Sequence, residues 1–333
     1  MNNRLLLSLA IAAAAASACG KTTTEPSAGP AIACPASRTL QSLDGRPVAA
    51  IYTPVSVTGT TPLKVSCTPP GGSAFPVGIN PVTCSVTDAD ARQASCSFSV
   101  TVLGQPKISV TKFTAFGDSI TAGVIATCTT ASFVPLNLRT PAQQAEEMRA
   151  LIAGLDEKVA YPTVLRSMLT SRYTTQALTV SNDGVGGEQT TDPRTLTRLN
   201  AALDAERPNV LLLQEGINDL NGSGTAGIVP ITNALQAMVQ SARTRGVAVL
   251  LGTLLPERPG TCRGGVPQVV PSMNDSIRAM AALNGATLVD LYAAFNGSPD
   301  PYIGPDGLHP TADGYQQMAQ TFFAAIQSKF EIK

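Results

Sequence analysis

The chain has no tryptophan, a single histidine in 333 residues, and aromatics at only 5%. So few flat side chains argue against an extended stacking platform for polysaccharide, although a sugar-bearing substrate is not excluded. The one histidine, His309, cannot build a zinc site of the usual kind, and no Cys-x-x-Cys or His/Cys cluster occurs. Neither a bound metal nor a cofactor is expected. Charge is scarce at 14%, its 23 basic and 23 acidic residues cancel, and there is no Lys/Arg cluster of five or more. That removes the electrostatic footprint of a nucleic-acid binder. What is abundant is apolar: 44% of the residues are hydrophobic, in a chain long enough for one large and one small globular domain.

Arg4 is followed by an apolar run from Leu5 to Ala18, short of the roughly 20 residues that span a bilayer. The run closes on the small residues Ala16-Ser17-Ala18-Cys19-Gly20. Residues 1–18 therefore read as a secretory signal peptide, and the mature chain is exported. Cys19, directly after the cleavage position, resembles a bacterial lipobox cysteine, although Ala16 stands where that motif more usually has Leu. The resemblance implies a thiol acylated to anchor the protein to a membrane, as a periplasmic or cell-surface lipoprotein. Ordinary cleavage that leaves a free Cys19 and a secreted chain is the other reading. The chain has seven cysteines, and acylation of Cys19 removes the odd one. Cys34, Cys67, Cys84 and Cys96 then make two bridges of open pairing, and Cys128 and Cys262 make a third.

Residues 19–33 have the Thr/Pro/Ser/Ala/Gly composition of a tether. From 34 to 104 the pattern is short strands between Pro/Gly turns. Leu63, Val65 and Cys67 alternate with polar neighbours, as do Val82, Cys84 and Val86, then Cys96, Phe98, Val100 and Val102. The three later cysteines share the parity of the apolar positions and point at a core too small to be stable without bridges. The stretch from Cys67 to Val102, with its Phe-Pro-Val-Gly turn and its CSFSVTV end strand, resembles a hyalin-repeat (HYR) domain, an immunoglobulin-like sandwich. The resemblance implies adhesion or spacing, with surface or glycan contact as one role and a passive stalk as the other.

From residue 108 to 333 the period changes. Apolar runs (Phe113–Phe116, Val210–Leu213, Val247–Leu251, Thr287–Val289, and a weaker Leu178–Val180) alternate with helical stretches. Ile231, Leu235, Met238 and Ala242 share one helical face, and Tyr315, Met318, Phe322 and Ile326 share another. Strands without polar alternation, separated by helices, imply an α/β fold: a three-layer, doubly wound parallel sheet of five strands. Such sheets bind ligands beyond the carboxyl ends of their strands. Four segments stand there: Gly117-Asp118-Ser119-Ile120-Thr121, Asn182 to Gly187, Gly216-Ile217-Asn218-Asp219, and Asp306-Gly307-Leu308-His309. Each alone reads as a helix cap, an Asx turn or a surface loop. Together they converge on one edge and include the only imidazole.

In those four blocks the region from about 111 to 330 resembles the SGNH (GDSL-type) hydrolase superfamily, and the flavodoxin-like fold of that superfamily is implied. The resemblance makes Ser119 the nucleophile and Asp306 and His309 the rest of the catalytic triad. Gly187 and Asn218 match the oxyanion donors, together with the Ser119 N–H. Gly187 is preferred because it stands five residues after Asn182, and Gly186 is the alternative.

The chemistry asks for the same residue types. A serine hydroxyl needs an imidazole to take its proton and return it to the leaving alcohol. The imidazole needs a carboxylate to fix its tautomer, and Asp306 lies three residues before His309. Pro310 biases His309 away from helical dihedrals. Asp118 and Asp219 read as loop-fixing acceptors, and a Cys128–Cys262 bridge would pin two loops bordering the site. The segment from Thr127 to about Glu157, longer than an ordinary connection, is expected to shape an acyl pocket.

The expected activity is serine esterase chemistry on a small-molecule, lipid or glycan ester, with membrane contact only through the anchor. Open beside it are O-deacetylation of glycans against lipase-like or lysophospholipase action, acyl transfer to an acceptor other than water, and a surface adhesion protein with a vestigial hydrolase domain.

Overall fold

The computed structural model describes residues 28–332 except 126, 127, 130, 131, 133, 135–137 and 139. The expected signal peptide and Cys19 lie outside the described residues. The chain divides into two units between Gly104 and Gln105.

In the first unit, alternation produces strands: β1 (Ala31–Ala33), β2 (Arg38–Gln41), β3 (Val48–Ala49), β4 (Ser56–Thr58), β5 (Lys64–Thr68), β6 (Ala74–Phe75), β7 (Gly78–Thr87) and β8 (Gln93–Leu103). The main sheet has the order β2-β8-β7-β5, and β1 pairs with β4 and β3 with β6. Val82, Cys84, Phe98, Val100 and Val102 turn inward onto Tyr52 and Phe75, and Tyr52 meets Phe98 edge-on with ring centres 5.0 Å apart. Bridges join Cys34 to Cys96 and Cys67 to Cys84, the latter across directly opposed residues of β5 and β7.

Two expectations need correction here. Val65 is 44% exposed, because β5 is an edge strand of which only Cys67 reaches the core. The tether is also shorter than 19–33: Ala31–Ala33 is strand, paired with β4, and Ile32 packs on the core.

The second unit is α/β. Its central strands are β10 (Lys112–Gly117), β11 (Thr179–Gly184), β12 (Val210–Gln214), β13 (Ala248–Gly252) and β14 (Thr287–Val289), after a short β9 (Lys107–Ile108) that pairs with β15 (Glu331–Ile332). All five run parallel, in the order β11-β10-β12-β13-β14. The inner strand β12 is a continuous apolar run because both its faces are covered; Val210, Leu211, Leu212 and Leu213 are all fully buried, whereas the edge strand β11 is largely polar.

The helices are α1 (Ser119–Ala122), α2 (Pro141–Ala153), α3 (Tyr161–Arg172), α4 (Pro193–Glu206), α5 (Ile217–Ser223), α6 (Ile228–Thr244), α7 (Val270–Asn284), α8 (Leu291–Ala294) and α9 (Ala312–Phe330). Right-handed crossovers send α3 to one face, where the chain steps from β10 to β11, and α4, α6 and α7 to the other, where it steps back across the sheet. Accordingly α3 packs on α9, and α6 on both α4 and α7. Both anticipated apolar stripes are buried. The Tyr161 and Phe322 rings stack 5.0 Å apart between α3 and α9.

The long segment after α1 carries a helix of its own, α2. It starts in a capping box, with Gln143 N–H donating to Thr140 Oγ1 at 3.3 Å and Thr140 N–H to Gln143 Oε1 at 2.9 Å.

Because Phe322 is fully buried on the α3–α9 seam, Phe322→Ala should cost this unit about 3–5 kcal/mol. Denaturant unfolding followed by the helical circular dichroism signal checks it, since the described helices all lie in this unit. A loss below about 1 kcal/mol would show that the seam does not anchor the core.

Candidate active site

Every central strand ends at the same edge, and the four sequence segments meet there. A Cβ on Gly117 would stand 2.1 Å from Thr121 Oγ1 and 2.4 Å from Gln214 O. Only glycine fits where β10 hands over to α1. Asp118 caps that helix, its Oδ1 accepting from Ile120 N–H at 2.9 Å, and so sets Ser119 at the first helical position.

His309 arrives from the far end of the unit. Asp306 Oδ1 accepts from the backbone N–H groups of Leu308 and His309, both at 3.1 Å, which folds the segment into a tight Asx-type loop before α9. The imidazole lies between the two other side chains. With its proton on Nδ1, it donates to Asp306 Oδ2 at 2.6 Å, and its Nε2 accepts from the Ser119 hydroxyl at 2.8 Å. All three residues are buried, Asp306 completely. Burial pushes the Asp306 carboxyl up, but the His309 bond and charge and the two N–H donors outweigh it and hold the group below its ordinary range.

Asn218 lies near the start of α5 and donates one amide proton to Glu188 O at 2.9 Å. An amide nitrogen carries two protons, so this bond orients the group and leaves a second donor. Gly187 has φ +75°, a left-handed conformation that favours glycine. A Cβ on its neighbour Gly186 would lie 3.9 Å from Ser119 Cβ. Residues 185–192 thus pass beside the serine, and they are tied from both sides. Asp219 accepts from Thr190 N–H at 2.7 Å, Thr191 N–H at 3.0 Å and the Thr191 hydroxyl at 2.5 Å. Arg198 grips the Glu188 carboxylate with two nitrogens, bonds Asp183 O at 2.9 Å, and lies 3.7 Å over the Phe116 ring.

The structure therefore brings Ser119, His309 and Asp306 into one hydrogen-bonded line, with Gly187 and Asn218 on elements beside it. Asp118 and Asp219 act as backbone acceptors. Cys128 and Cys262 are bridged. A hollow of about 800 Å³ lined by Val110, Asn209 and Val247 is at the amino ends of the strands, away from this edge.

Sequence reading had missed a group of buried acids behind the serine. Glu215 is 1% exposed, and burial first, then the charges of Asp118 and Glu188, push its carboxyl well up. Asp118 is pushed up to about 7, by burial and then by Glu188 and Asp219. A signal existed: Glu215 directly follows an apolar strand at the ligand-binding edge, and Glu188 follows Gly187.

A model of the GDSL-like Lipase/Acylhydrolase family matches residues 115–317, and one of the HYR domain matches residues 25–102. The chain belongs to the GDSL-like lipase/acylhydrolase family. Solved structures that the chain is similar to include the lipase/acylhydrolase from Enterococcus faecalis, 20% identical, covering 67% of this chain and 98% of that one at a TM-score of 0.52. A putative lipolytic protein of the G-D-S-L family from Desulfitobacterium hafniense is 18% identical, over 65% of this chain and 99% of that one, with a TM-score of 0.47. An acetylxylan esterase from Geobacillus stearothermophilus is 20% identical, over 66% and 96%, also at 0.47. These likenesses are of fold. No curated protein matches the chain.

The raised Asp118 carboxyl has a pH signature. Its contribution to stability is complete below its ordinary value of 3.8 and is lost as pH rises through about 7. Asp118→Asn keeps the capping oxygen and removes the charge, so its melting temperature should gain on wild type between about pH 4 and about pH 7 and level off above that. Parallel melting curves across that range would refute the assignment.

Proposed function

We propose that the chain hydrolyses carboxylic esters through an acyl-enzyme on Ser119. The observation that carries this reading is the line from Ser119 Oγ through the His309 ring to Asp306, at 2.8 and 2.6 Å.

As the Ser119 oxygen bonds to the ester carbon, its proton passes to His309 Nε2, and Asp306 stabilises the imidazolium. The carbonyl oxygen becomes an oxyanion that receives the Ser119 and Gly187 N–H groups and the second amide proton of Asn218. The carbon–oxygen bond to the alcohol then breaks, and the alkoxide takes the proton from His309. Water repeats the sequence: it loses a proton to His309, attacks the acyl carbon, and releases the acid as Ser119 recovers its proton. The bridges suit an oxidising, extracytoplasmic compartment. We read Cys19 as the anchor, which mass spectrometry of the mature N-terminus tests.

With a nitrophenyl acetate substrate, Ser119→Ala and His309→Ala should each lose at least about 10³-fold in kcat while keeping the wild-type circular dichroism. Ester turnover by Ser119→Ala at the wild-type rate would sink the reading. A chain-length series of the same esters then separates acetyl from longer acyl preference.

Asn218→Ala should lower kcat by about 10²–10³ with little change in KM, since its donor acts on charge that exists only in the transition state. A change confined to KM would instead make Asn218 a ground-state contact.

A further inference from the structure

One charged side chain stands against the triad without belonging to it. Arg263 lies on the segment between β13 and α7, next to the bridged Cys262. That segment is stitched to the triad loop by its backbone: Arg263 N–H donates to Asp306 O at 2.9 Å, and Arg258 N–H to Gly307 O at 2.8 Å. The Arg263 guanidinium then reaches back, with Nε 3.6 Å from Asp306 Oδ2. This is the oxygen that accepts from His309 Nδ1 at 2.6 Å. The imidazole holds the hydrogen bond and the arginine sits at ion-pair distance. Both side chains are shielded from water, Arg263 at 13% exposure and Asp306 at 0%, so their interaction is weakly screened.

A carboxylate alone beside an imidazole makes it more basic, and a histidine that keeps its proton cannot take one from serine. A cation on the same carboxylate oxygen works the other way. We propose that Arg263 is a positioning residue whose fixed charge tempers Asp306, keeping His309 neutral and able to accept the Ser119 proton at lower pH than Asp306 alone would allow.

Other groups among the described residues stand around the pair. The β10–α1 turn brings the Asp118 carboxyl, whose charge, like that of Asp306, acts on Tyr315. From α9 comes the Tyr315 hydroxyl, which donates to Val124 O at 2.7 Å. On the stitched segment itself, Arg258 turns away to Asp300 at 2.8 Å, and Glu257 accepts from Asn221 at 2.6 Å.

His309 is the only histidine, so its ring proton resonance can be titrated in the intact protein without ambiguity and without turnover. Arg263→Met removes the charge and spares every backbone bond of the segment; Arg263→Lys keeps it. The titration midpoint should rise by about 0.5–1 pH unit in Arg263→Met and stay within about 0.2 of wild type in Arg263→Lys. The activity arm rests on the esterase reading above: the acid limb of kcat/KM should move by the same amount, with its plateau changed less than about threefold. An unmoved resonance in Arg263→Met, or an equal rise in Arg263→Lys, overturns the inference. Where Arg263→Met does not fold, Arg263→Gln replaces it under the same criterion. Because the resonance needs no catalysis, an unmoved midpoint in an active enzyme defeats this inference alone, and an inert wild type defeats only the esterase reading.

Discussion

Asp306 is a carboxylate with no contact with water, and the arrangement of the site follows from compensating its charge. Isolated, such a group would neutralise itself. Here two backbone N–H groups, an imidazole N–H and a nearby guanidinium surround it. Each of these fixes something else as well. The N–H groups shape the loop, the imidazole is aimed at Ser119, and the guanidinium draws in the segment that carries Cys262. Position and electrostatics come from the same contacts.

The second half of the site rests on the bent stretch from 185 to 192. It has few apolar anchors, and side chains of other elements hold it instead: Asp219 and Asn218 from α5, Arg198 from α4. On the proposed reading, these contacts brace a donor that must meet an oxyanion without reorganising. The surrounding acids make the bracing costly at high pH, since Asp118 and Glu215 both resist ionisation.

Much of this was legible in the sequence because strand periodicity and strand-end position are local signals. The runs at Phe113, Val210 and Val247 are strands, and the residues after them meet at one edge. The stripes on α6 and α9 are core. What was less legible depends on contacts distant in sequence. Nothing near Arg263 announces that it will face Asp306, 43 positions away by its number. Val65 keeps the alternation of its strand and is still exposed, because the pattern does not say which strand lies at the edge. The helix α2 did leave a mark, Thr140-Pro141-Ala142-Gln143, a capping box with proline at its first position. The cysteines gave their number but not, among the first four, their partners.

The Cys128–Cys262 bridge closes a covalent ring with a sequence separation of 134. Ser119 lies on the chain before that ring and His309 on the chain after it. A single peptide bond cut anywhere inside the ring therefore leaves Ser119 and His309 on one covalently connected molecule. Wherever reductants are scarce enough for the bridge to persist, a nicked copy of this chain is still held together as a single particle.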